Sequence, residues 1–219
     1  PLTSLSGYVE RMGEDQEAIY YMTGPSREVL VGSPHLEAFA DKGLEVLLFS
    51  DPVDEVWLEQ MPPDFRGKKF QSVGRGEIDL ASKDEKEGEE SERDQETEAY
   101  KDLIQCIESA VQDDVKEVRL SNRLKQSPSC LVVDEGDLSP QLEAMLRQAG
   151  QEVPERKPIL ELNPDHAILK RLQAIFAKDG TDARLGEYAQ LLFGQAVLAE
   201  GGQLADPAAF TRRLSGLME

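Results

Sequence analysis

Residues that could do chemistry are few in this sequence, and they are scattered. Gly24-Pro25-Ser26-Arg27 lies between an apolar strand pattern and the start of a helix, where free backbone N–H groups can hold an anion. Every strand-to-helix turn offers the same groups, so a plain capping turn is the competing reading. His35 and His166 each follow a proline by one or two positions, as first-turn helix residues on the surface do. Neither has a second ligand beside it in the sequence, which argues against a metal centre. Cys106 and Cys130 make neither a disulfide framework nor a zinc site alone, and read as reduced, buried thiols. The 43 acidic residues could supply an acid–base pair by chance, but nothing marks any two of them out. No G-x-x-x-x-G-K-[ST] phosphate loop, no G-x-G-x-x-G after a strand and no G-x-S-x-G elbow is present.

The informative features are apolar. Leu138, Leu142, Met145, Leu146 and Ala149 fall on one stripe of a helix about three turns long, with Glu143, Arg147 and Gln148 on its other face. Such a stripe faces a core, or stands exposed and grips other chains through adaptable Leu and Met side chains. Further on, Leu185, Tyr188, Leu192 and Ala196 make one stripe of a helix, and Ala189, Phe193 and Val197 make a second. A helix apolar over so much of its circumference must be covered on more than one side. The last helix adds Phe210, Leu214 and Leu217. Two terminal helices cover each other on one face only, so the surplus asks for the rest of the domain or for a second copy, which would close a four-helix bundle. Gly186 and Gly194 interrupt the longer helix at about 1 kcal/mol each relative to Ala, and would loosen that bundle.

The elements that position these residues divide into two parts. From Lys83 to Glu98 nine acids and three bases run without a large apolar residue, as a solvated linker or an exposed helix start would. Before it, Ala18 to Met22 and Leu44 to Phe49 read as buried strands, Phe70 to Val73 as a third, and the intervening segments as short helices, which predicts a small parallel sheet with helices on both faces. After it come an amphipathic helix through Tyr100, Leu103, Ile104, Ile107 and Val111, strands at Val115 to Leu120 and Cys130 to Val133, and a surface excursion from Arg123 to Ser129 between them. Val153 to Pro164 is proline-punctuated and extended, and helices follow at His166 to Ala177, Asp182 to Glu200 and Pro207 to Met218. The whole is 219 residues, 39% hydrophobic, with a net charge of −19. That acidity argues against generic nucleic-acid binding, which needs clustered Lys and Arg. No apolar run approaches the roughly 18 residues of a membrane span, and no signal core opens the chain, so a cytoplasmic protein is expected.

Taken together, these residues resemble the heat-shock protein 90 chaperones. Tyr8-Val9-Glu10-Arg11-Met12, Ile19-Tyr20-Tyr21-Met22-Thr23-Gly24 and Glu45-Val46-Leu47-Leu48-Phe49-Ser50-Asp51-Pro52-Val53-Asp54-Glu55 carry the likeness in the first part. Val118-Arg119-Leu120-Ser121, Ser127-Pro128-Ser129-Cys130-Leu131-Val132, Leu162-Asn163-Pro164-Asp165-His166 and Leu198-Ala199-Glu200-Gly201 carry it in the second, and the bacterial members are the most similar. The resemblance implies an α/β (α+β overall) fold in three stretches. Residues 1–81 would be an αβα sandwich, the C-terminal subdomain of the family's middle domain. Residues 82–98 would be an acidic linker or helix start. Residues 99–219 would be a mixed α/β dimerisation domain whose last helices form a four-helix bundle across the dimer.

It further implies a part of an ATP-dependent chaperone that is not itself an enzyme. ATP and Mg would bind in an N-terminal domain upstream of Pro1, and no cofactor would bind in this chain. The implied partners are a second copy of the chain, partly folded client proteins and the heat-shock protein 70 system. Client contacts would fall on Leu138, Leu142, Met145 and Leu146, and on Glu55, Val56, Trp57 and Glu59. Dimer contacts would fall on Leu185, Tyr188, Leu192, Ala196, Phe210, Leu214 and Leu217. Two departures stand out: leucines occupy positions 138 and 142, where methionine is common, and the aromatic Trp57 comes one position late. Two rival readings stay open. One is a small α/β anion-binding or enzyme domain with a helical appendage, resting on Met22 to Ser26. The other is a dimerisation module without a client surface.

Overall fold

A computed structural model of the chain describes residues 2–78, 80, 86–154 and 156–218, and at positions 59, 86–93, 144 and 218 the backbone alone. The first sheet has the order β2-β1-β4-β3. Its strands are β1 (Ala18–Thr23), β2 (Leu47–Phe49), β3 (Asp64–Phe65) and β4 (Lys68–Ser72). Strands β2 and β4 flank β1 in parallel, as strand–helix alternation predicts, and β3 adds an antiparallel edge that periodicity does not reveal in two residues. The β3–β4 turn is Arg66-Gly67, both at positive φ, which matches the twist of a two-residue hairpin. Helix α1 (Leu5–Arg11) starts at the Ser4 cap and is pinned by Tyr8. The Tyr8 hydroxyl donates to the Glu45 carbonyl at 2.7 Å and accepts from Gln16 Nε2 and the Tyr20 N–H.

Helix α2 (Arg27–Val31) is five residues long, and its Ser26 cap accepts the Val29 N–H. Gly24 is required by packing, because a Cβ there would lie 2.6 Å from the Leu30 side chain. At this turn the Gly24 N–H is spent on the Phe49 carbonyl and the Val29 N–H on the Ser26 cap, so two of the N–H groups an anion would use are already committed. A 3-10 turn at Pro34–Leu36 runs into α3 (Glu37–Asp41). Helix α4 (Pro52–Gln60) opens on a capping box in which Asp51 accepts the Val53 N–H and Asp54 accepts the Asp51 N–H.

The acidic run enters α5 (Lys86–Val111), one helix of 26 residues, so no break separates residues 86–98 from those that follow; residues 82–85 lie outside the description. The second sheet has the order β5-β7-β6, from β5 (Glu117–Leu120), β6 (Ser129–Val132) and β7 (Ile159–Leu162). Its central strand is the segment read only as extended, parallel to β5 and antiparallel to β6. Helices α6 (Pro140–Gln148), α7 (Ala167–Lys178), α8 (Ala183–Ala199) and α9 (Pro207–Met218) complete the chain. The protein is thus mixed α/β with two mixed sheets. Its larger core joins Leu103, Ile107 and Val111 of α5, Leu160 and Leu162 of β7, Leu169 and Leu172 of α7, and the inner face of α8.

Candidate functional site

Helices α4 and α6 pack against each other and bring the two sets of proposed client residues together. Helix α6 starts where Ser139 accepts the Leu142 N–H, with Pro140 at its first position, and it ends at Gly150, φ +78°. Leu138, Leu142, Met145 and Leu146 are each half-buried, neither a sealed core face nor a free strip. Asp137, just before the cap, is ion-paired with Arg156. On α4, Val53, Val56 and Trp57 are exposed, Trp57 at 43%. The Trp57 ring packs edge-on against Phe49, centroids 5.8 Å apart, which fixes it without hiding it. Glu55 faces inward at 3% exposure, and its Oε1 has no partner among the described residues. The side chain of Glu59 lies outside the description.

The segment from Arg123 to Ser129, expected on the surface, is instead the joint between the sheets. Arg123 is among the largest fully buried side chains. Its Nε donates to Glu161 Oε2 at 2.9 Å, and its Nη1 and Nη2 donate to the Val73 and Gly76 carbonyls at 2.6 Å. Arg119 covers the other oxygen of Glu161, Oε1, at 2.9 Å, and the Ser121 hydroxyl donates to Oε2 at 2.8 Å. Each charge in this buried cluster is thereby hydrogen-bonded as well as paired. Beside it, the Glu37 carboxylate accepts the Lys125, Gln126 and Ser127 N–H groups and the Ser127 hydroxyl. Burial raises the Glu37 pKa, but the Ser127 hydroxyl and the three N–H groups outweigh it, and the net shift is downward. A parallel bridge between Arg75 and Val133 completes the joint.

The histidines and cysteines depart in part from expectation. His35 is buried at 2% exposure, with Nε2 3.1 Å from Glu200 Oε1, because the 3-10 turn tucks it under the end of α8. His166 caps α7, its Nδ1 accepting the Ile168 N–H. Cys130 is buried, and burial, then Glu161, pushes its thiol pKa well up, so it is a poor nucleophile; Cys106 is only part-buried. Among the described residues no group of three or more His, Cys, Asp or Glu could hold a metal ion. No described helix is long and apolar enough to cross a membrane.

The residues assigned to dimer contact split into two groups. Leu185, Tyr188, Leu192 and Ala196 are core residues of the chain itself, on a helix packed against α5 and β6, and so present no free surface to a second copy. Phe210 and Leu217 are half-buried, and Leu214 is 44% exposed. Leu198, at the end of α8, is also exposed. Sequence reasoning missed Arg123, Glu161 and Glu37. The signal that could have found the pair was Glu161 itself, an acid between leucines in a strand apolar on both faces, which demands a buried cation.

A family model described as Hsp90 protein matches residues 1–219. The chain is 51% identical over 213 residues to the chaperone protein HtpG of Frankia casuarinae, covering 97% of this chain and 33% of that protein. It is 50% identical to HtpG of Rhodococcus jostii, over 98% of this chain and 33% of that protein. It is 48% identical to HtpG of Mycobacterium leprae, over 99% of this chain and 33% of that protein. The chain thus spans about a third of the length of the curated relatives it matches. With the family model covering every residue, the chain belongs to the Hsp90 family of molecular chaperones.

Proposed function

We propose that this chain is the client-holding and dimer-forming portion of an ATP-driven, cytoplasmic chaperone. The observation that carries the reading is the pairing of α4 and α6, which sets exposed Val56 and Trp57 beside the half-buried strip from Leu138 to Leu146. Apolar groups in such a state bind unfolded chains without being consumed by the protein's own core. The mechanism is mechanical. A second copy, joined through the C-terminal helices, holds two such surfaces in one molecule. ATP and Mg bind and turn over in an N-terminal domain of the longer protein, and closure there changes the spacing of the strips. Tethering at the C-terminal end raises the effective concentration of the N-terminal ends for each other. Clients arrive from, or pass to, the heat-shock protein 70 system. This chain alone performs no ATP hydrolysis.

Trp57 is the only tryptophan, so its emission reports directly on the surface. Titration with a reduced, unfolded protein is expected to shift that emission to the blue. Replacing Leu142 and Met145 together by Ser is expected to weaken the titration about tenfold. The accompanying loss of stability should fall below the roughly 2–5 kcal/mol per site of fully buried Leu or Met truncations. A large drop in melting temperature with unchanged client affinity would show that α6 serves the core alone.

A further inference from the structure

The joint between the sheets borders a half-open cavity of about 320 Å3, at the small end of the range for ligand pockets. Met22, Leu131, Val133, Leu138 and Val197 give it apolar walls. Most of the charged groups at its edge are committed elsewhere. Arg156 pairs with Asp137, Glu143 pairs with Arg147 outside the cavity, and Lys157 donates to the Gln112 carbonyl at 2.8 Å. Glu200 faces His35 Nε2. Arg75 is the exception: its backbone bridges to Val133, and its guanidinium has no partner among the described residues. Among the buried side-chain polar atoms that lack a hydrogen bond among the described residues, His35 Nδ1 belongs to a residue of this cavity, while Glu200 Oε1 has the His35 Nε2 contact instead.

We propose that this cavity binds a small amphiphilic anion, an apolar chain of about eight carbons carrying one carboxylate. The carboxylate sits on the Arg75 guanidinium, whose planar fork matches it in geometry and charge. The chain lies against Leu131, Val133 and Val197. With Asp137 and Glu143 neutralised by Arg156 and Arg147, the one cation of the lining left without a partner among the described residues is Arg75, so the site matches a single negative charge on an apolar body. Its walls come from both sheets and from the start of α6, so an occupant ties α6 to the first sheet and stabilises the joint by mass action.

The proposal is independent of the chaperone reading and is tested on the full 219-residue chain. Isothermal titration with octanoate is compared with 1-octanol, octylamine and acetate. Octanoate is expected to bind one to one, and each of the other three at least about tenfold more weakly. Arg75→Gln is expected to bring octanoate down to the level of 1-octanol. It should leave the melting temperature of the unliganded protein unchanged, because that guanidinium has no partner to lose among the described residues. The chain has only two histidines, so imidazole NMR signals locate the ligand. Octanoate should move the His35 resonances and leave those of His166 in place. Equal binding of octanoate and 1-octanol, full affinity in Arg75→Gln, or an unmoved His35 would each overturn the proposal.

Discussion

Arg123 and Glu161 are where a single side chain has most leverage. A buried ion pair is costly to desolvate and is tolerated only when the remaining donors and acceptors are used. Here Glu161 meets two arginines and a serine, and Arg123 spends its other nitrogens on two carbonyls of the first sheet. Replacing Glu161 by Leu strands a buried guanidinium and is expected to cost about 3–5 kcal/mol in urea denaturation. Arg123→Lys keeps the charge but loses the fork that reaches carboxylate and carbonyls together, and should cost about 1–3 kcal/mol. Glu37 gives the joint a pH dependence of known sign. Its pKa is depressed in the folded chain, so its contribution is present in full above the ordinary carboxylate pKa and is lost as pH falls through the lower folded value. The stability gap between the native chain and Glu37→Gln, measured by denaturation over a pH series, should be widest near neutrality and close in acid.

At the scale of elements, the glycines of α8 separate propensity from packing. Both interrupt the helical pattern, yet α8 runs unbroken from Ala183 to Ala199. A Cβ on Gly186 meets nothing, whereas one on Gly194 would lie 2.7 Å from the Phe210 ring and 3.3 Å from Leu204. Gly186→Ala should therefore stabilise the chain by up to about 1 kcal/mol, and Gly194→Ala should destabilise it by pushing α9 off α8. Thermal melts of the two variants, with opposite signs, check this. The same contrast explains what the sequence could reveal. Helices α6 to α9 carry their stripes, caps and prolines locally, and their positions are legible to within a few residues, whereas α5 is legible only from Tyr100 because its first turns are acidic and carry no apolar stripe. Strand β7 was not, because prolines frame it and Glu161 breaks its apolar run, so only the pairing with β5 and β6 makes it a strand. Nor was the burial of Arg123, Leu124 and Ser129 in a polar loop whose partners are 38 to 90 residues away in sequence. The α4 and α6 positions were legible; their mutual packing was not.

For the whole molecule, the property on which the proposed function turns is association. Much of the inner face of α8 is spent inside the chain, so in the proposed dimer the second copy would meet Leu214, exposed at 44%, with the half-buried Phe210 and Leu217 of α9. Burying one leucine is worth roughly 1.5–3 kcal/mol, and a two-fold interface counts each such contact twice. Leu214→Glu should therefore yield a folded monomer, its melting curve cooperative and its sedimentation coefficient that of one chain. Leu192→Glu should behave differently, because at 3% exposure that residue belongs to the core and a buried charge there unfolds the domain. Charge supplies an independent check. Each chain carries −19, so two copies repel at long range, while α9 itself bears Arg212 and Arg213 and no acid within Pro207–Met218. An apolar contact opposed by diffuse like charge tightens as salt screens the repulsion. Sedimentation equilibrium is expected to show a smaller dissociation constant at about 0.5 M than at about 0.05 M salt. Weakening with salt would mean instead that ion pairs around Arg212 and Arg213, rather than Leu214, hold the two copies together.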